Sequence, residues 1–240
     1  MENIISVTGL EKSYGSKVVL EGISFDVEQG SVFGLLGHNG VGKSTTIECL
    51  LGIKPFENGE VTVLGQDPRM NRKQLFQKVG VQFQNTAYQP KIKVKEVCEI
   101  NHSLYENPSD WQTMLEDFGL AAKANSLVSN LSGGEQQKLC IILAIMHNPQ
   151  LVFLDELTTG LDPKARRDVW AYIQRLKEDG TTILLTSHYM DEVEKLCDKI
   201  AILQEGNILI SGTVAEIVTA SGKCNMDEAF LYFVEGGDVK

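Results

Sequence analysis

The chain is short of positive charge. It carries 22 lysine and arginine residues against 32 aspartate and glutamate residues, which gives a formal net charge of −10 at pH 7. A protein that binds nucleic acid along its phosphate backbone needs clustered basic side chains to displace counterions. We therefore expect no nucleic-acid partner, and we interpret the excess acid as the solvated surface of a globular domain.

Paired cysteines and long apolar runs are also missing. The five cysteines are scattered and include no Cys-x-x-Cys pair, a pattern typical of free thiols in a reducing cytosol. Residues 1–6 lack the basic and apolar regions of a signal peptide, and no stretch approaches the roughly 20 apolar residues that span a bilayer. We expect the chain to stay in the cytosol and not to cross a membrane by itself.

The patterns that are present predict a single α/β domain spanning residues 1–240. This length suits one well-cored domain and is too short for two. The first thirty residues alternate polar and apolar side chains between glycines, which predicts short antiparallel strands. Later, apolar runs alternate with helical stretches, which predicts a mostly parallel sheet with crossover helices; these runs lie at residues 31–36, 151–154, 183–186 and 200–203.

A helical insertion interrupts this alternation. From about residue 94 to residue 128 the apolar residues recur every three or four positions, and Asn107-Pro108 breaks the pattern into separate helices. We expect an α-helical subdomain at about residues 85–150. Residues 1–84 and 151–240 would then form the core together with an antiparallel β-subdomain.

A glycine-rich segment follows the first apolar run. Residues 37–44 read Gly-His-Asn-Gly-Val-Gly-Lys-Ser and fit the pattern G-x-x-x-x-G-K-[ST]. Glycines let successive N–H groups turn towards phosphate oxygens, and the following helix adds its positive end. Lys43 can bridge the outer phosphates, and the Ser44 hydroxyl can ligate Mg²⁺. The position between a strand and a helix favours a triphosphate site over an ordinary glycine turn.

Three further residues are expected at the same sheet edge. Asp155 and Glu156 end the apolar run 151–154, and His188 follows the run 183–186. Ligands of α/β proteins collect at the carboxyl ends of parallel strands. There Asp155 can support the Mg²⁺ that Ser44 binds, and Glu156 can orient and deprotonate a water. Taken singly, the acids also fit a plain strand end, and His188 also fits a structural histidine.

Residues 131–137, Leu-Ser-Gly-Gly-Glu-Gln-Gln, begin another helix. Ser132 and Glu135 have the spacing of a capping box, which is the structural interpretation. Gly133 and Gly134 additionally leave N–H groups unshielded at the positive end of the helix dipole, which predicts a second anion-binding surface.

In their order, and over nearly the whole chain, these motifs resemble the nucleotide-binding subunits of ATP-binding cassette (ABC) transporters. The resemblance implies a P-loop NTPase core, ATP and Mg²⁺, and a head-to-tail dimer in which residues 132–135 of one subunit cover the ATP of the other. It makes Gln84 a Mg²⁺ ligand that acts in catalysis with Glu156 and His188, and it makes Asp162 the D-loop aspartate. The implied ATP contacts are Tyr14, which would stack on adenine, and Gly37, Asn39, Gly40, Val41, Gly42, Lys43, Ser44 and Thr45.

Residues 187–194 and 206–213 resemble the branch of this family that exports antibiotics, lipids or polymers. The resemblance implies two partners, a separate transmembrane permease subunit and a second cassette, and a place on the cytoplasmic face of the cell membrane. The alternatives are an importer subunit, a soluble cassette ATPase that remodels another assembly, and a regulatory cassette that does not hydrolyse ATP. The presence of Glu156 and His188 argues against the last.

Overall fold

Two β-sheets organise the structure, a computed structural model that describes residues 2–83 and 87–237. The smaller sheet is antiparallel and has the strand order β2-β1-β4, with β1 at Asn3–Tyr14, β2 at Lys17–Glu28 and β4 at Asn58–Val63. The prediction of short strands was wrong here, since β1 and β2 are each 12 residues long. Shifts in their pairing register let the two strands bend without breaking.

The larger sheet has the strand order β5-β6-β7-β3-β8-β9. Its first five strands pair in parallel, and β9 pairs with β8 in the antiparallel direction. This arrangement confirms the predicted α/β fold with a mostly parallel sheet and an antiparallel N-terminal sheet. The strands are β3 (Val32–Leu36), β5 (Val79–Gln82), β6 (Leu151–Asp155), β7 (Thr182–Ser187), β8 (Lys199–Gln204) and β9 (Asn207–Gly212).

Helices cover the larger sheet. Three of them, α3 to α5, lie within residues 85–150, where the sequence predicts a helical subdomain; the boundary of that subdomain stays a prediction. No helix within residues 2–83 and 87–237 is long and apolar enough to cross a membrane. The helices are α1 (Lys43–Leu50), α2 (Arg72–Leu75), α3 (Val94–His102), α4 (Trp111–Asp117), α5 (Gly133–Ile145), α6 (Pro163–Glu178), α7 (Met190–Leu196), α8 (Val214–Ser221) and α9 (Met226–Val234).

Alternate side chains of the central strands belong to different hydrophobic cores. Every residue of β3, β6 and β7 is buried, which explains why these strands read as continuous apolar runs in the sequence. Val152 and Leu154 pack with the helices of residues 94–145, whereas Leu151 and Phe153 pack with α1 and the antiparallel sheet. The sheet edge that carries the strand ends is therefore held from both faces.

The contact between β5 and α5 yields a test of this packing. A methyl group added at Gly80 would lie 2.0 Å from the carbonyl oxygen of Ala144, whereas one added at Gly133 meets nothing within 4 Å. We expect Gly80→Ala to lower the free energy of unfolding by about 1–3 kcal/mol, because the backbones must separate. Denaturant unfolding of Gly80→Ala and of the control Gly133→Ala measures the difference, and equal stabilities would contradict the packing.

Candidate functional site

Strand order brings the predicted motifs to one edge of the larger sheet. Leu36 of β3 pairs with Ser187 of β7, and Thr186 pairs with Asp155 of β6. The glycine-rich segment, the two carboxylates and the histidine therefore all leave the sheet side by side, although they are far apart in the sequence. This register is what assembles the site.

Three charged or titratable side chains meet at that edge. The Lys43 Nζ atom lies 3.3 Å from Glu156 Oε1, and the His188 Nδ1 atom lies 3.7 Å from the same oxygen. Lys43 and Glu156 are both buried, so each charge offsets part of the other's desolvation cost. The structure thus brings together a cation, a carboxylate and an imidazole that the sequence assigned to one reaction.

The loop between β3 and α1 is shaped to bind an anion. Gly37 takes a φ of 157°, and a side chain there would clash with the carbonyl oxygen of Leu203 at 2.4 Å. Helix α1 begins after Gly42, whose backbone is left-handed, and within the described residues no side chain caps this helix. The N–H groups of its first turn are therefore available to phosphate oxygens, at the positive end of the helix.

Lys43 closes this loop from the inside. Its ammonium group donates hydrogen bonds to the carbonyl oxygens of Gly37 at 2.7 Å and His38 at 3.1 Å. Its side chain is almost fully buried, at 4% exposed. The charge is thereby held at the base of the loop, where it faces any phosphate that the loop binds.

A threonine that the sequence did not single out organises the two acids. Thr186 Oγ1 donates a hydrogen bond to Asp155 Oδ1 at 2.6 Å and accepts one from the Glu156 N–H at 3.0 Å. Glu156 has a φ of 50°, a conformation that costs a non-glycine residue about 1–3 kcal/mol and is frequent at active sites. The sequence does not single out Thr186, because the strand 182–187 contains three hydroxyl residues.

A cleft of about 380 Å³ opens above the loop. Tyr14, at the end of β1, forms one wall and is 44% exposed. Gly37 and Val41 belong to the loop but are not among the described residues that line the cleft, whereas Lys17 and Val19 line it without having been predicted. The lining is Tyr14, Lys17, Val19, Asn39, Gly40, Gly42, Lys43, Ser44, Thr45 and Glu156.

The predicted signature lies outside this cleft. Ser132 Oγ accepts a hydrogen bond from the Glu135 N–H at 3.3 Å, and Glu135 Oε2 accepts one from the Ser132 N–H at 2.8 Å, which confirms the capping box. Ser132 and Gly133 are exposed. Among the described residues that line the cleft, none belongs to the segment 132–135. The predicted second anion-binding surface is therefore separate from the cleft above the chain's own phosphate loop.

Asp162 caps helix α6. Its Oδ1 atom accepts hydrogen bonds from the N–H groups of Lys164 at 2.9 Å and Ala165 at 3.0 Å. The hydrogen bond from Ala165 is the main reason why the pKa of Asp162 is lowered. Gln84, the predicted Q-loop glutamine, lies outside the described residues.

A separate groove of about 480 Å³ runs between β5 and the helices α3 and α5. Phe83, the last residue before the undescribed segment 84–86, lines it together with Leu143 and His147. Ile100 and Leu104 also line it, and they are 56% and 63% exposed. The apolar members of this lining form a surface apart from the phosphate loop.

Known proteins resemble both the sequence and the fold. The family model described as ABC transporter matches residues 20–159. The chain is 35% identical to the linearmycin resistance ATP-binding protein LnrL of Bacillus subtilis, over 91% of this chain and 72% of that protein. It is also 35% identical to a Nod factor export ATP-binding protein I of Ralstonia nicotianae, over 95% of this chain and 72% of that protein.

Solved structures agree with this relationship. The ATP-binding subunit of an ABC transporter superimposes with a TM-score of 0.87 at 26% identity, covering 96% of this chain and 99% of its own. A nucleotide-free ATP-binding cassette from an ABC transporter superimposes with a TM-score of 0.77 at 25% identity, covering 88% of this chain and 92% of its own. The chain therefore belongs to the ABC transporter family, as an ATP-binding subunit with ATPase activity.

Proposed function

We propose that this ATPase subunit works in an exporter. Two cassettes enclose ATP between them, and the hydrolysis of this ATP drives a separate membrane subunit. The observation that carries the proposal is the convergence of Lys43 and His188 on one carboxylate oxygen of Glu156, beside a phosphate-binding loop. In this arrangement Lys43 is a cation for phosphate, Glu156 is a base for water, and the imidazole of His188 lies beside Glu156.

The cleft accounts for ATP binding. Tyr14 offers an exposed ring for adenine, with Lys12 Nζ 5.1 Å and Lys54 Nζ 5.8 Å from its centroid. The loop and the first turn of α1 offer N–H groups to the phosphates, with Lys43 beneath them. Because Lys43 already contacts Glu156, an incoming phosphate competes with that carboxylate for the ammonium group.

Mg²⁺ fits the same edge. Ser44 lines the cleft and carries a hydroxyl group, and the buried Asp155 is oriented by Thr186. We assign the ion to Ser44, to Asp155 and to Gln84, which lies outside the described residues. Oxygen ligands of this kind suit Mg²⁺. When bound, the ion supplies positive charge that offsets the negative charge of the phosphates.

The chain's own residues then carry the hydrolytic step. Glu156 orients and deprotonates the attacking water, because its backbone is fixed by Thr186 and its carboxylate faces the loop. His188 contacts the same water or the γ-phosphate with its imidazole ring. Gln84 completes this catalytic group in the proposal.

A second cassette explains the exposed signature. The N-terminus of α5 carries Ser132, Gly133, Gly134 and Glu135, none of which is among the described residues that line the cleft of the same chain. A head-to-tail pair would place this surface over the ATP held by the other subunit, next to the D-loop residue Asp162. The partner cassette is either a second copy or a different chain.

The relatives support the proposal of export and of a membrane partner. Two similar proteins are named for linearmycin resistance and for Nod factor export. We propose that the groove between β5 and the helical subdomain at about residues 85–150 receives a transmembrane permease subunit, because Ile100 and Leu104 are apolar and exposed there. The chain would then lie on the cytoplasmic face of the cell membrane.

Replacing the base tests hydrolysis. We expect Glu156→Gln to bind ATP but to turn it over at least ~10²-fold more slowly, because an amide cannot accept the proton of water. Phosphate release and equilibrium ATP binding are the measurements. Glu178→Gln, at an exposed carboxylate on α6, is the control and should match the wild type. Near-normal turnover by Glu156→Gln would falsify the assignment.

Mixing two inactive variants tests the shared site. Lys43→Ala removes the ammonium group of the phosphate loop. Gly133→Asp adds repulsive charge to the signature, at a position where a side chain meets nothing within 4 Å. We expect the mixture to recover up to about a quarter of wild-type turnover. Random pairing makes about half of the dimers mixed, and each mixed dimer has one intact site out of two. Gly133→Ala controls for the added side chain. A site completed within one chain predicts no recovery.

Copurification tests the membrane partner. We expect the tagged chain, purified from detergent-solubilised membranes, to carry a multi-span protein in stoichiometric amount. Leu104→Asp should lose that protein while keeping its own ATPase activity, because a charge in the apolar groove opposes docking. Leu231→Asp, at an exposed leucine of α9, is the matched control. Recovery from the soluble fraction only would favour a non-transport cassette ATPase.

A further inference from the structure

The Nδ1 atom of His188 lies 3.7 Å from Glu156 Oε1, beyond hydrogen-bonding distance. This atom is buried and has no hydrogen-bond partner within the described residues. The imidazole ring packs against the ring of Tyr189, with centroids 4.2 Å apart. The position of the imidazole therefore depends on the backbone of residues 187–189, which we call the histidine turn.

A buried glutamate anchors the first residue of the histidine turn. Ser187 Oγ donates a hydrogen bond to Glu192 Oε2 at 2.6 Å, and it also accepts one from the Tyr189 N–H at 3.0 Å. Glu192 itself is only 2% exposed, and its Oε1 atom accepts a hydrogen bond from Trp170 Nε1 at 3.1 Å. One carboxylate thus joins α6, α7 and the end of β7.

The last residue of the turn is held by a second contact. The Arg166 guanidinium lies 4.5 Å from the centroid of the Tyr189 ring, within the range of a cation–π interaction. Arg166 Nη1 also lies 3.4 Å from Asp191 Oδ2 on α7. His188 is therefore flanked by residues fixed from outside, while its own Nδ1 atom makes no such bond within residues 2–83 and 87–237.

We propose that Glu192 is a positioning residue for ATP hydrolysis, which fixes the histidine turn through Ser187 and so holds the His188 imidazole beside Glu156. The inference rests on the proposed role of His188. An apolar side chain at this position would pack between α6 and α7 at a lower desolvation cost. It would, however, leave Ser187 and Trp170 without their acceptor, and the turn would lose its restraint.

The hydrogen bonds of Glu192 agree with this role. Burial raises the pKa of Glu192, while hydrogen bonds with Ser187, Thr158 and Trp170 oppose that rise. Ser187 and Trp170 each donate to a different oxygen of the carboxylate, so both oxygens act as acceptors. A glutamine cannot accept both hydrogen bonds in the same way, because its amide nitrogen only donates. Glu192→Gln therefore changes the hydrogen bonding while keeping the shape of the side chain.

The test is a double-mutant cycle between Glu192 and His188. We expect Glu192→Gln to lower kcat about tenfold and to leave the KM for ATP within about twofold, because small misplacements of a reacting group slow the chemical step. In the His188→Ala background the same change should have no further effect on kcat. Glu194→Gln, on the same helix, keeps an oxygen acceptor for the Met226 N–H and should match the wild type.

A spectroscopic readout separates this inference from the proposed function. The chain has four histidines, so the His188 imidazole signal can be assigned in an NMR spectrum by comparison with His188→Ala. We expect Glu192→Gln to shift or broaden that signal and to leave the other three unchanged. If Glu192→Gln does not fold, Ser187→Ala takes its place in both experiments.

Two results would count against different claims. Wild-type turnover by His188→Ala would remove the proposed role of His188, whatever Glu192 does. Equal losses of kcat from Glu192→Gln in both backgrounds, with an unchanged His188 signal, would overturn the positioning role and leave Glu192 as a link between α6 and α7.

Discussion

The site depends on the adjacency of three parallel strands, β6, β7 and β3. Backbone hydrogen bonds set Asp155 opposite Thr186 and Leu36 opposite Ser187. A shift of one residue along one of these strands would turn each side chain of that strand to the other face of the sheet. It would also change the distance between the phosphate loop and the carboxylates of Asp155 and Glu156. The burial of every residue in these strands makes such a shift costly, and the geometry of the proposed catalytic group follows from the fixed register.

Polar contacts at the strand ends then set the finer geometry. Thr186 holds both the Asp155 carboxylate and the Glu156 backbone, and Lys43 balances the buried charge of Glu156. Glu192, in turn, is proposed to restrain the turn that carries His188. Thr186, Asp155, Glu156, Lys43 and Glu192 are all buried. Buried polar groups need a hydrogen-bond or ion-pair partner, so the loss of one of these side chains would disturb the others. The result is a prearranged site that, in the proposed dimer, the exposed N-terminus of α5 from a second cassette completes.

Much of this could be predicted from the sequence, because some chemistry has a local signature. The loop of residues 37–44 needs glycines, a lysine and a hydroxyl at fixed spacing, and the structure places those types where the pattern requires. Thr186 and Glu192 have no such signature, since a polar residue within a strand or helix gains meaning only from partners distant in sequence. Strand length was also missed, because the register shifts that let β1 and β2 continue depend on their pairing.

The central claim is that one chain holds ATP and a second chain completes the enclosure. Sedimentation velocity of Glu156→Gln, with and without Mg²⁺ and ATP, tests it most directly, because slow turnover preserves the nucleotide-bound state. We expect a monomer without nucleotide and a dimer with it, and Gly133→Asp in the same background should remain monomeric. A Glu156→Gln chain that binds one ATP and stays a monomer would contradict the claim.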